Sequence, residues 1–220
     1  MIRIFDNSDL MDSLKLLRSE YQKNAKDIDL LMDHYRSLES VELWQYSTGP
    51  LFDDPPYSSE MDGLDPGRLL KKKYSSIYDA RLKNVYSSGF INDVHVATVV
   101  PSSSQSSPLM VTFFDSRDAE RLIQSIDFYS NKEHSSKKPP SLVGLGRLYY
   151  LNDIHRVYIN VGAGAAYSIT VYYYDDKNRV ASASMVTAPF DFQTEYEMHY
   201  AADGKLESVT SEGLVWERKG

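Results

Sequence analysis

The chain contains no cysteine, which removes disulfides, thiolate metal sites and thiol nucleophiles together and fits a reducing compartment. It also lacks any run of about 18 apolar residues, the length a helix needs to cross a bilayer. Its longest apolar stretches, around Val94 to Val100 and Ile169 to Tyr174, have the length of strands. The opening MIRIFDNSDLMDSL has neither the basic start nor the unbroken apolar run of a secretory leader, so the expectation is a cytoplasmic protein with no membrane partner. Recognisable catalytic or cofactor motifs are missing too. GLGRLY from Gly144 and GAGAAY from Gly162 lack the third glycine of a dinucleotide fingerprint and lie among strands, so they read as turns or tight packing points. There is no phosphate-binding glycine loop, no serine in a nucleophile elbow and no metal-pair spacing among the five histidines. The expectation is therefore no cofactor, no metal and no catalytic set.

What the sequence does hold is 220 residues, enough to bury roughly 70% of the unfolded surface in one domain. Tyrosine is abundant at 17 residues, a composition that suits sheets and recognition surfaces. The net charge of −7 is unevenly placed: residues 1 to 66 carry 14 acidic against 6 basic side chains, while the remainder carries 17 against 18. An anionic region of this kind repels phosphate, which disfavours nucleic acid and favours a basic protein partner.

The acidic excess is densest in LFDDPPYSSEMDGLD, residues 51 to 65, with five carboxylates, two prolines and no lysine or arginine. Asp53 and Asp54 precede Pro55 and Pro56 on a stiff stretch of backbone, and Phe52 and Tyr57 bracket them. With Glu60 and Asp62 these residues form the candidate partner-binding set, a preorganised surface of acid and aromatic anchors.

Residues 8 to 39 carry apolar side chains at three- and four-residue steps from Leu10 to Leu38, which predicts helix, capped by Asn7 or Ser8 and breaking near Asn24. MIRIF before it and VELWQYS at 41 to 47 alternate as short strands do. Asp65-Pro66 predicts the start of a second helix running to Gly89, and Asp115 or Ser116 a third over 117 to 129, with Ala119, Leu122, Ile123, Ile126 and Tyr129 as its stripe. FINDVHVATVV and LMVTFF, joined by PSSSQSSP, read as a hairpin. After the linker SNKEHSSKKPPS, turn signals spaced for a meander predict five to seven antiparallel strands. The fold expectation is α+β, N-terminal helices packed on a C-terminal antiparallel β-meander. It forms a single domain over 1–220, with a subdivision between a helix-rich 1–130 and a β part at 141–220.

Within that meander FQTEYEMHY places Glu195, Glu197 and His199 on one strand face. Such a row could serve acid–base or metal chemistry, yet a strand with one wet face produces the same alternation.

An acidic, cysteine-free chain with N-terminal helices, the loop LFDDPPYSSEMDGLD and hairpins such as YAADGKLESV resembles, in organisation, the bacterial immunity proteins of polymorphic toxin systems. The resemblance implies stoichiometric capture of a cognate toxin domain, carboxylates and aromatics covering its basic active site in the cytoplasm. A competing expectation is a small-molecule-binding protein or hydrolytic enzyme with a tyrosine-lined pocket over the sheet, and a third is an assembly subunit pairing through a sheet edge.

Overall fold

The structure, a computed structural model, describes residues 2–52, 54–102, 104–117, 120–130 and 136–219. After a single 3-10 turn at Ile4–Asp6, where alternation predicted a strand, come two helices. These are α1 (Ser8–Asn24) and α2 (Ile28–Ser37). Asn7 caps the first by accepting from the Leu10 amide at 3.1 Å, and Asp27 caps the second through the Leu30 amide at 3.0 Å, so the long pattern divides at Asn24 because a new cap follows it.

Among the described residues that follow, twelve strands form one sheet in strict sequence order, every neighbour antiparallel. β1 (Leu43–Ser47) is followed by two short helices, α3 (Ser58–Met61) and α4 (Ile77–Arg81). Then come β2 (Tyr86–Ile91), β3 (Val94–Val99), β4 (Leu109–Arg117), β5 (Glu120–Phe128), β6 (Ser141–Asn152) and β7 (His155–Gly162). The order ends with β8 (Tyr167–Tyr174), β9 (Val180–Thr187), β10 (Phe190–Tyr200), β11 (Leu206–Thr210) and β12 (Leu214–Glu217). The antiparallel sheet is thus present, with few helices, mainly N-terminal. It also begins a hundred residues before the predicted meander, and β5 pairs with β6 across the linker, so one sheet spans both predicted parts.

Two predicted helices are corrected. Within residues 117 to 129 the structure has the strand β5 (Glu120–Phe128), paired with β4 from Leu109↔Phe128 to Arg117↔Glu120 and with β6 on its other side; Asp118 and Ala119 lie outside the described residues. Ile126 and Phe128 face one side and Ile123 the other, all buried, and a strand buried on both faces carries apolar residues at helix-like spacing. Residues 66 to 89 keep only α4, capped by Ser76. Upstream, the Thr48 amide donates to the Arg68 carbonyl at 3.1 Å and the Leu70 amide to the Tyr46 carbonyl at 2.7 Å, so Arg68 to Leu70 run along the outer edge of β1. Backbone groups used there are not available to a helix. FINDVHVATVV is likewise two strands, because Asn92 and Asp93 take positive φ of 48° and 61° and turn β2 into β3.

Each sheet face has its own cover. On the first, Leu10, Leu14 and Leu17 of α1 and Leu31 of α2 join Val111, Leu145, Val157, Ile159 and Val171 in the largest core cluster. The N-terminal segment is fastened to the same face by Gln193, whose amide donates to the Ile2 carbonyl and accepts from the Ile4 amide, both at 3.0 Å. Leu14→Ala leaves an unfilled space between α1 and the sheet and is expected to lower unfolding stability by about 2–4 kcal/mol, read as a shifted urea midpoint at unchanged slope.

Candidate functional site

The second face belongs to the acidic segment. Leaving β1 at Ser47, whose hydroxyl donates to the Gly49 carbonyl at 2.7 Å, the chain crosses the sheet as a strap and reaches β12 at the other edge. Phe52 meets Phe90 of β2 edge-on at 5.2 Å. Asp54 pairs with Arg121 of β5, the two side chains only 20% and 21% exposed. Tyr57 lies against Tyr200 of β10, whose hydroxyl is 2.8 Å from the Val180 carbonyl, to which it donates, and 3.2 Å from the Tyr57 hydroxyl. Met61 packs in a cluster with Tyr172, Tyr196 and Trp216. At the far end Asp65 accepts from the Trp216 indole at 3.2 Å and from Lys219 at 2.8 Å, bonds that hold its carboxyl below the usual range.

This placement corrects the picture of a free anionic docking patch. Asp54 is matched by a sheet arginine, and Glu60 is 8% exposed with burial raising its pKa. Phe52 and Tyr57 are half-buried against the sheet, and Asp62 alone of the described set faces solvent; Asp53 lies outside the described residues. The physical reason is that a sheet face lined with Phe114, Ile123, Leu148, Tyr172 and Tyr196 must be covered, and the strap is the chain that covers it. Arg121, Trp216 and Lys219, which receive the strap, lie 67 to 154 positions away from their acidic partners, and no local pattern points to such pairings.

The middle of the strap face carries a buried polar group as well. His95, 8% exposed, stacks on Phe114 at 4.5 Å and Phe90 at 5.3 Å, and its Nε2 lies 2.9 Å from the Thr98 hydroxyl. Burial, reinforced by the adjacent Arg121 charge, pulls its pKa down from 6.5 to about 4. Arg121 itself donates to the His95 carbonyl at 2.8 Å and lies over the Phe114 ring at 4.9 Å, so ion pair, ring and imidazole form one packed unit.

Between strap and sheet there remains a cavity of about 250 Å³, floored by strands β7, β8 and β9 and roofed by Pro55, Ser58 and Met61. Tyr158 and Tyr172 stand in its floor, and burial raises the pKa of both, so each is a neutral hydroxyl. The glycines of GLGRLY and GAGAAY serve packing: Gly144 pairs with Gly162 across β6 and β7, and a Cβ on Gly146 would come within 2.7 Å of the Tyr158 ring and hydroxyl.

The row Glu195, Glu197, His199 does share one face of β10, but its members are used separately. Glu195 accepts from Ser184 and Gln193, His199 lies 2.9 Å from the Thr210 hydroxyl, and Glu197 is exposed. Among the described residues no three His, Asp or Glu side chains converge as metal ligands. Neither the sequence, set against known protein families and curated proteins, nor the fold, set against solved structures, finds a match. What the strap face offers chemically is hydrogen-bond donors on an apolar wall, an arrangement suited to non-covalent capture.

Two measurements test this site. A double-mutant cycle with Asp54→Asn and Arg121→Met should give a coupling of about 1–3 kcal/mol in chemical denaturation, whereas additive losses would mean the pair does not fasten the strap. For His95 the folded pKa lies below the unfolded one, so the unfolded chain takes up its proton first. That contribution to stability is intact above pH 6.5 and is lost as pH falls toward about 4. His95→Gln is expected to flatten the acid limb of the stability–pH curve over that window.

Proposed function

We propose that the protein is a binding protein that captures a basic protein partner along its β12 edge, acting by occlusion as an immunity protein does toward a cytoplasm-acting toxin. The observation that carries this reading is the asymmetry of the two sheet edges. β1 is covered by Arg68 to Leu70, while β12 has β11 as its one strand neighbour among the described residues. The strap ends beside β12: a Cβ on Gly63 would come within 3.2 Å of the Val215 carbonyl oxygen. Leu64 and Leu214, 60% and 64% exposed, stand next to that contact. Asp62, Glu212 and Glu217, on the same two segments, are exposed, and of the cations there Arg218 pairs with Asp203 and Lys219 with Asp65.

An edge strand with apolar anchors and a rim of carboxylates suits an extended or helical segment rich in lysine and arginine. Main-chain pairing and the leucines would supply affinity, and the carboxylates would supply steering. Of the contact set derived from sequence, Asp62 belongs to this surface; the other described members fasten the strap.

The test is a growth-rescue and biosensor pair. The reading expects a basic toxin-like domain to be encoded beside this gene, and co-expression with it should restore growth. The triple charge reversal Asp62→Lys, Glu212→Lys, Glu217→Lys should slow association with that domain tenfold or more at low salt, the difference shrinking as ionic strength rises. Unchanged association and rescue in the reversed variant would end the assignment.

A further inference from the structure

At the β1 end of the helix-covered face the cover opens into a cleft of about 280 Å³. Tyr35 and Glu39 line it from the end of α2 and the turn that follows, Trp44 and Tyr46 from β1, and Ser76 and Tyr78 from the start of α4. Trp44 and Tyr46 share a face of β1 because strand positions alternate. Across the strands Trp44 is paired with Gly89, where a Cβ would come within 3.0 Å of the indole, so the glycine makes the room that ring occupies. The Tyr35 and Tyr78 hydroxyls lie 2.8 Å apart and tie α2 to α4.

Two features of this cleft go beyond what covering a strand requires. The protein's own cations sit over other rings nearby and elsewhere, Lys72 at 5.0 Å and Lys83 at 5.7 Å from Tyr74 and Arg156 at 4.5 Å from Tyr150. Among the described residues none lies over Tyr35, Trp44 or Tyr46. Glu39, the one charged residue of the lining, is exposed and has no ion-pair partner among the described residues, whereas Arg36 is taken by Asp33 and Lys83 by Asp79.

We infer that this cleft is a binding site for a small organic cation with a methylated ammonium head, seated among the Tyr35, Trp44, Tyr46 and Tyr78 rings with Glu39 as its counter-charge. Ring faces carry negative potential, and aromatic cages hold such heads through it. A bare ammonium would lose more hydration than the rings return, and an anion would meet Glu39 unscreened by a partner. The partly negative C-terminal end of α2 adds to the same preference. Size agrees, since a cavity of about 150 Å³ admits benzene.

The cleft lies at the other end of the strand order from β12, so it stands or falls apart from capture there. The full chain, labelled with ¹⁵N, is titrated with choline, with the uncharged isostere in which carbon replaces the nitrogen, and with a peptide bearing one trimethyl-lysine. The indole N–H of Trp44 reports binding and that of Trp216, under the strap, is the internal control. Saturable shifts at Trp44 and not at Trp216 are expected, with choline about tenfold tighter than its isostere. Glu39→Gln, at an exposed position, should weaken choline about threefold and leave the isostere unchanged. Trp44→Leu should cost choline about fivefold more than it costs the isostere; should that variant not fold, the Glu39→Gln comparison decides alone. Choline binding at least as tightly as the peptide is the result expected of a free small molecule, while a tighter peptide leaves the site standing and gives the same head a protein source. No saturable shift at Trp44 up to tens of millimolar choline would overturn the inference. So would an isostere that binds as tightly as choline, or a choline affinity that Glu39→Gln leaves unchanged.

Discussion

A single sheet has two faces, and in this protein both are apolar enough that each must be kept from water. The helices satisfy one face with the Leu10, Leu14 and Leu17 stripe. The other, with Phe114, Ile123, Leu148 and a field of tyrosines, is closed by the strap, a loop with the one short helix α3 in it. That segment must be held down, and the contact that holds its middle is Asp54 with Arg121. At about one-fifth exposure the two charges are shielded from salt and water, so breaking one leaves the other stranded. Much else on that face is arranged around this pair: the His95 carbonyl and the Phe114 ring orient the guanidinium, and Phe52 is seated two residues earlier.

Seen this way, the charge imbalance of the N-terminal third acquires a different meaning in its two halves. Strap carboxylates are largely committed within the fold: Asp54 is a shielded counter-charge for Arg121, Glu60 is buried with its pKa raised, and Asp65 pairs with Lys219 at the surface. Their matching cations lie in the part of the chain whose own balance is close to neutral, so the count alone did not show that these carboxylates have partners in the fold. Of the strap's candidate contact residues Asp62 stays outward, and the last hairpin adds the exposed Glu212 and Glu217.

The legible parts of the fold were those written locally. Asn7 and Asp27 mark helix starts because their side chains bond to amides three residues on. The turns from LNDIH to SEG each join consecutive strands because a meander needs nothing beyond its neighbours. Failures came where a long-range partner overruled local spacing. In β5, Leu122, Ile123 and Ile126 repeat like a helix because both faces of that strand are covered, one by α2 and the other by the strap. Near Leu69 and Leu70 the backbone is claimed by β1. The same reason hid the site. Nothing near Tyr172 in sequence tells that Pro55 and Met61 will lie above it, since that juxtaposition exists only once the strap has crossed the sheet.

The cavity and the fastening of the strap are consequences of the same stretch. Pro55 and Pro56 have no N–H to offer, so between Asp54 and Tyr57 the strap cannot bond amide by amide to anything beneath it. It is anchored on either side, by Arg121 before the prolines and by Tyr200 and the Trp216 cluster after them. A stiff span between two anchors stands off from a floor that does not rise to meet it, and the floor here is set by Tyr158, which packs against Gly146 with no room for a Cβ between. Space under the prolines is therefore built in by the anchors and the glycine together. Collapsing it would require moving an ion pair and a strand, so the cavity persists.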